Sequence, residues 1–332
     1  MRKFDFDLVD ASRKALAGRM IRTPVLPLVS NKISPYLPAG AELFMKLELF
    51  QHTGSFKARG AMLGVDWLDD AQRKAGVVTF SGGNHALAVA WAAGLANVHA
   101  KVVMTEAADP LRIEGSRALG AEVILVPDMM AALPMLDQIS ADEGRPILHP
   151  FNDVNMACGA ASCGAEFMED APDLDIVVLP VGGGGLISGM AAAIKNHNPN
   201  ITVIGVEPVG ADSLSQSFKS GNPERLESVK TVADSLGAPM AMPESLNLAR
   251  QNVEELITID DQVMIETMLL MRQTLTLEAE PACAASLGAA LGPLRDRLKG
   301  LRVGVLACGS NISPDRYAHY TKDTVMPAPP AI

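Results

Sequence analysis

The stretch "IVVLPVGGGGLISGMAAAI", residues 176–194, is uncharged and 19 residues long, enough to raise a membrane span. A proline and four consecutive glycines at its centre argue against one, because both residue types weaken a helix interior. A strand, a glycine turn and a helix opening at Leu186 explain the stretch better. Other β-branched runs lie at 76–80, 100–105, 122–127, 201–206 and 302–308. Between them are Ala-, Leu- and Met-rich stretches of helical length, such as 84–96, 110–119 and 260–277. Apolar strands alternating with helices predict parallel sheets covered on both faces. The βα spacing is tight from 76 to 147 and resumes from 175 to 309. The expectation is an α/β protein of two lobes, each a parallel or mixed sheet flanked by helices. The smaller lobe takes residues 51–147, and the larger takes 1–50 plus 148–332. A cleft between two such lobes is the expected ligand site.

The bulk numbers agree with that size class. A chain of 332 residues is long for one core and predicts two domains. A net charge of -10 without basic clusters argues against nucleic acid or an anionic membrane as partner. The four cysteines, Cys158, Cys163, Cys283 and Cys308, form no CxxC pair. They read as reduced and buried, hence a cytoplasmic chain. The N-terminal "MRKFDFDLVDASRKAL" is charged throughout and lacks the apolar core of a signal peptide.

Three strands end alike, in a small-residue turn and a helix start: "TFSGGNHALAVA", "LPVGGGGLISGMAA" and "LACGSNISPDRY". In parallel sheets ligands bind at carboxyl strand ends, where free N–H groups and the helix dipole suit anions. Gly182, Gly183, Gly184 and Gly185 are costly in chain entropy and favour a backbone that wraps an anion. The alternative is a crowded turn packed on a neighbour. Gly184 to Gly189 has Walker A spacing, but Met190 replaces the lysine, which rejects that loop. The dinucleotide fingerprint is off register at its third glycine. Glu207, at the end of the next strand, keeps an NAD-binding protein as a rival. "SGGNHA", 81–86, offers a second anion nest, with a capping or core histidine as the plain reading of His85.

In "HTGSFKARGAM", residues 52–62, Lys57 sits among small and apolar residues with Arg59 its one charged near neighbour. Such a lysine is either paired structurally or recruited chemically. An amine, a phosphate cup and a carboxylate nest together suit pyridoxal 5'-phosphate. "KLELFQHTGSFKARGA" (46–61), "SGGNHA", "GGGGLISG", "VIGVEP" (203–208), "VADSL" (232–236) and "EPACAAS" (280–286) resemble segments of one family. It is the threonine/serine dehydratase and serine racemase group of fold-type-II pyridoxal-phosphate enzymes, with a fold like that of tryptophan synthase β. The resemblance runs in order over residues 20 to 310.

By that resemblance Lys57 would hold the cofactor as a Schiff base and later take the substrate α-proton. Phe56 would lie against the ring and Asn84 would bond its hydroxyl. Gly182 to Gly185 with Leu186 would bind the phosphate. Ser81, Gly82, Gly83, Asn84 and His85 would hold the substrate carboxylate. Cys308 falls where the family places Ser or Cys facing the pyridine nitrogen. The implied activity is α,β-elimination from a 3-hydroxy amino acid, such as threonine, serine or 3-hydroxyaspartate, giving a 2-oxo acid and ammonia. A homodimer is implied as well, and no appended regulatory domain is expected.

Departures from the family pattern sharpen this. Racemases of the group resemble "SSGNH", whose second serine works on the opposite face of the substrate; here that position is Gly82, which favours a dehydratase. Racemisation or β-replacement on the same scaffold stays the alternative. Leu87 replaces a usual glutamine, and Ala160 and Ala161 replace Gln and Gly. These changes are expected near the cleft and point to a substrate larger than threonine or differently charged. Metal-dependent members hold a divalent cation (Mg, Mn or Ca) through positions matching Glu207, Ala211 and Ser213. Serine in place of the acid at 213 should weaken that site. Glu207 as a helix cap or ion-pair residue is the plain alternative.

Overall fold

The computed structural model describes residues 2–330. Its strands are β1 (Val25–Pro27), β2 (Glu42–Lys46), β3 (Val77–Phe80), β4 (Ala100–Thr105), β5 (Glu122–Val126), β6 (Ile176–Pro180), β7 (Thr202–Pro208), β8 (Glu255–Ile259) and β9 (Arg302–Leu306). The helices are α1 (Phe6–Leu16), α2 (Lys57–Asp66), α3 (Asp70–Ala75), α4 (Asn84–Leu95), α5 (Pro110–Ala118), α6 (Met129–Glu143) and α7 (Val154–Asp170). They continue as α8 (Gly185–His197), α9 (Ser213–Ser220), α10 (Pro243–Asn252), α11 (Asp261–Leu275), α12 (Pro281–Leu291) and α13 (Pro314–Thr321).

Two sheets form. Six strands run in the order β1-β2-β9-β6-β7-β8, parallel except for antiparallel β1–β2. Three strands form the parallel sheet β3-β4-β5. The central strand β6 is buried at every residue, as both-face cover by helices requires. Helix α12, "PACAASLGAAL", is buried over almost its whole length against β6, β7 and β9; small residues allow that approach. Segment 147–148 adds a bridge beside β3, with Leu148 N–H donating to Val78 O at 2.9 Å. The chain leaves the smaller sheet there. Among the described residues no helix is long and apolar enough to cross a membrane. All four cysteines are buried and free.

Candidate functional site

The three strand-end turns sit at the carboxyl ends of β3, β6 and β9, and the lysine turn joins the third of them. Gly54 has φ 71, and a Cβ there would lie 2.8 Å from Asn311 Oδ1, so conformation and contact both require glycine. Ser310 N–H donates to Gly54 O at 2.9 Å and Phe56 N–H to Cys308 O at 3.2 Å. Asn311 Nδ2 donates to Thr53 O at 2.7 Å. The segments "HTGSFK" and "CGSN" are thus tied through their backbones.

Lys57 opens α2, and the first turn of that helix is anchored from below. Arg59 is fully buried and donates to Glu48 through Nε at 2.8 Å and Nη2 at 2.9 Å, and to Glu166 at 2.9 and 2.7 Å. Burial would raise the Glu48 carboxyl, but Arg59 holds it below the usual range. Arg59 is therefore a structural ion-pair residue. Lys57 is not: its amine donates to the Pro150 carbonyl and stands 5.1 Å from the Phe56 ring centroid. Desolvation lowers the amine to about 8, against contributions from Cys308 and Glu280.

The neighbouring imidazoles add no positive charge. His85 Nε2 lies 3.0 Å from Leu148 O, which fixes the ring as an Nε2–H donor. Burial and then Lys57 push its pKa down to about 3. His149 Nδ1 accepts from the N–H groups of Phe151 and Asn152, and burial takes its pKa to about 4. The His85 side chain thus anchors α4 to segment 148–150. Only its backbone N–H remains for a carboxylate.

At the glycine turn, both sequence readings have support. A Cβ on Gly183 would lie 2.3 Å from the Phe151 ring, and one on Gly185 would lie 2.9 Å from Phe151 Cα. Gly184 stands at φ 87. The turn is therefore crowded. Yet the N–H groups of Gly182 to Ile187 have no acceptor among the described residues, leaving a row of donors at the start of the 13-residue α8. The first turn of α4 is similar. Ser81 Oγ takes the Gly83 N–H at 3.1 Å, while the N–H groups of Gly82, Asn84 and His85 have no acceptor among the described residues. Cys308 is buried beside Lys57, and burial raises its thiol far above the ordinary value, so it is neutral. These groups fit a ligand with an anionic ester, a reactive carbonyl and a ring nitrogen, together with a carboxylate. A cavity of about 570 Å³ nearby is lined by Phe151, Ser188, Glu244 and Ser245, but not by Lys57, Asn84 or Cys308.

Sequence reasoning missed several cleft residues. Glu280 is fully buried and accepts from Asn84 Nδ2 at 2.6 Å, Arg112 Nη2 at 2.9 Å and Ser235 Oγ at 3.3 Å. The run "EPACAAS" shows the acid, but nothing near it in sequence shows its partners. Asn84 Oδ1 is taken by Asn311 Nδ2 at 2.7 Å. The expected placement of three substitutions also needs correction. Leu87 is 5% exposed and packs on Gly115, where a Cβ would meet it at 2.8 Å. Ala160 and Ala161 are buried in α7, which packs on α8 and α2. All three fill helix contacts and do not line a cleft.

Glu207 ends β7 and accepts from the N–H groups of Leu214 at 2.9 Å and Ser215 at 2.8 Å, capping α9. Burial raises its carboxyl to about 7. Ala211 closes a short turn, and the Ser213 hydroxyl is buried without a partner. Among the described residues no three His, Cys, Asp or Glu gather as a metal site. One carboxylate with both oxygens engaged does not suit a divalent cation. The same engagement removes the free carboxylate that the dinucleotide rival needs.

Comparison with known proteins gives a consistent picture. The profile of the family described as "Pyridoxal-phosphate dependent enzyme" matches residues 19–309. A phenylserine dehydratase from Ralstonia pickettii is 43% identical over 316 residues, covering 95% of this chain and 96% of the relative. An L-threonine ammonia-lyase from Thermotoga maritima is 38% identical, covering 82% of this chain and 68% of that one. The solved structure of maize serine racemase superposes with a TM-score of 0.87 at 32% identity, covering 95% of this chain and 99% of that one.

Proposed function

Because the chain belongs to the pyridoxal-phosphate-dependent enzyme family, we propose that it is an ammonia-lyase that dehydrates a 3-hydroxy amino acid to a 2-oxo acid and ammonia. The observation that carries the reading is a desolvated amine at Lys57 combined with the absence of a side chain at Gly82. Space does not force that absence, since a Cβ on Gly82 would come no nearer than 3.4 Å to Ala108 Cβ. One base without a counterpart suits elimination better than inversion.

When bound, pyridoxal phosphate supplies an electron sink that acidifies the substrate's α C–H. The chain's residues do the rest. The N–H groups of Gly182 to Leu186 would hold the phosphate, and Phe56 would close one side of the ring. The neutral Cys308 thiol would partner the ring nitrogen without supplying a full charge, and Asn84 would bond the ring hydroxyl. Ser81 to His85 receive the substrate carboxylate. Lys57 takes the α-proton, which its lowered pKa permits near neutral pH. The β-hydroxyl leaves as water with the return of that proton, and the enamine left behind tautomerises and hydrolyses to a 2-oxo acid and ammonia.

The resemblance to a phenylserine dehydratase supports a substrate bulkier than threonine. The resemblance to serine racemases keeps racemisation as the second reading. Incubating holoenzyme with serine, threonine, 3-phenylserine and 3-hydroxyaspartate, and measuring 2-oxo acid release beside the enantiomer ratio of remaining substrate, decides between them. Keto acid without loss of enantiomeric purity is expected; racemisation outrunning keto-acid release sinks the proposal. We take the working form as a cytoplasmic homodimer, for which sedimentation should give twice the mass of 35.0 kDa.

A further inference from the structure

Beside Gly82 a cluster of charged side chains joins residues of 51–147 to residues beyond 148. Arg112 on α5 is 2% exposed. Its Nε donates to Asn311 O at 2.9 Å, Nη1 to Asp234 at 2.6 Å and to Gly82 O at 3.4 Å, and Nη2 to Glu280 at 2.9 Å. Arg316 stands 3.6 Å from Asp234 and 3.8 Å from Asp109. Asp109 also accepts from the N–H groups of Leu111 and Ser313. The three partners of Glu280 can all act as donors to its two oxygens; burial raises its carboxyl above the usual range, and Arg112 opposes that rise. Two guanidinium groups therefore face three carboxyl groups, and each guanidinium already has acid partners.

We propose that this cluster sets the charge selectivity of the site, with Arg112 withheld from substrate so that 3-hydroxy amino acids with a neutral 3-substituent are accepted and those with a second carboxylate are refused. The inference rests on the dehydratase reading and narrows its substrate class. Arg112 is well placed to read an anion: a Cβ on Gly83, in the turn assigned to the substrate carboxylate, would lie 3.6 Å from Nη1. A second substrate carboxylate would have to displace Asp234 or Glu280 from Arg112. It would also stand against the carboxyl groups that already occupy Arg112, Asp234 foremost, in a cleft where water screens poorly. Discrimination of at least about tenfold follows, the effect of one like-charge contact at an intermediate dielectric.

The test compares two nearly isosteric ligands, 3-hydroxyasparagine and 3-hydroxyaspartate, on the holoenzyme. Both kcat/KM and calorimetric affinity should favour the amide at least about tenfold, with the difference in KM and affinity and not in kcat. The variant Asp234→Asn, whose side chain is 43% exposed and so tolerant of change, should shrink that ratio severalfold by removing a negative charge and loosening the hold on Arg112 Nη1. Equal use of both ligands by the unsubstituted protein overturns the proposal. So does an Asp234→Asn variant that lowers stability and both substrates alike, the result for a purely structural tie. If neither these compounds nor serine, threonine and 3-phenylserine release keto acid, the dehydratase reading fails, while the affinity ratio still reports on the cluster.

Discussion

Replacing Gly82 with serine should give the site the second acid–base group it lacks. The backbone accepts it, since Gly82 is not among the positive-φ glycines and a Cβ there meets Ala108 Cβ at 3.4 Å. A half-buried hydroxyl beside free N–H groups leaves no stranded donor, so the stability change should stay within about 0.5 kcal/mol. A positioned general acid or base contributes about 10²- to 10⁴-fold. Serine racemisation in Gly82→Ser should therefore rise by about two orders of magnitude over the parent. Keto-acid release should fall or hold, because protonation on the new face competes with loss of hydroxyl. Chiral chromatography of serine incubated in deuterated water measures both outcomes, and deuterium in the inverted product proves exchange at the α-carbon. A folded, cofactor-loaded Gly82→Ser with no gain in racemisation would refute the claim that position 82 limits the reaction to one face.

Three further outcomes follow from the same geometry. With Lys57 lowered to about 8, about 9% of the apoprotein amine is free at pH 7, about 230-fold more than at an unperturbed value near 10.4; the rate of cofactor capture should rise with pH and level off above pH 8, whereas a rise continuing to pH 10 contradicts the desolvated amine. Glu48→Gln leaves Arg59 half-paired in the core and should cost about 3 kcal/mol, a fall of about 4 °C in the thermal midpoint. Glu48 is depressed by Arg59, so its contribution is present above the unfolded carboxylate range and disappears as pH falls through the lower folded value; the variant should be correspondingly less sensitive to acid. Millimolar calcium, magnesium or a chelator should leave the thermal midpoint of the holoenzyme unchanged, since Glu207 already caps α9; stabilisation by calcium would mean that Glu207 and Ser213 rearrange to bind it.

The buried parallel strands were legible because they are unbroken β-branched runs, and β3, β4, β6 and β9 lie within two residues of their expected limits. Strand β1 was missed because it has three residues and ends in Pro27. Strand β2, "ELFMK", begins and ends in charge, and β8, "ELITI", is largely half-buried at the edge of its sheet. Neither resembles a core strand. Within the site, Lys57 and the glycine turn stood out because an amine among small residues and four glycines are locally odd. Glu280 and Arg112 owe their place to partners 168 and 196 positions away, through Arg112–Glu280 and Asn84–Glu280. No short-range pattern encodes such a meeting. Leu87, Ala160 and Ala161 mark the opposite error, in which a departure from a family motif was taken to face the ligand although helix packing uses it.

The account stands on Lys57 as the residue that carries pyridoxal phosphate. Borohydride reduction of the yellow holoenzyme, followed by proteolysis and mass spectrometry, reads that directly. The reduced cofactor should be found on the peptide containing Ser55-Phe56-Lys57, and Lys57→Ala should lose both the visible absorbance and the label. A label on another lysine, or a Lys57→Ala protein that keeps its colour and its label, would contradict it.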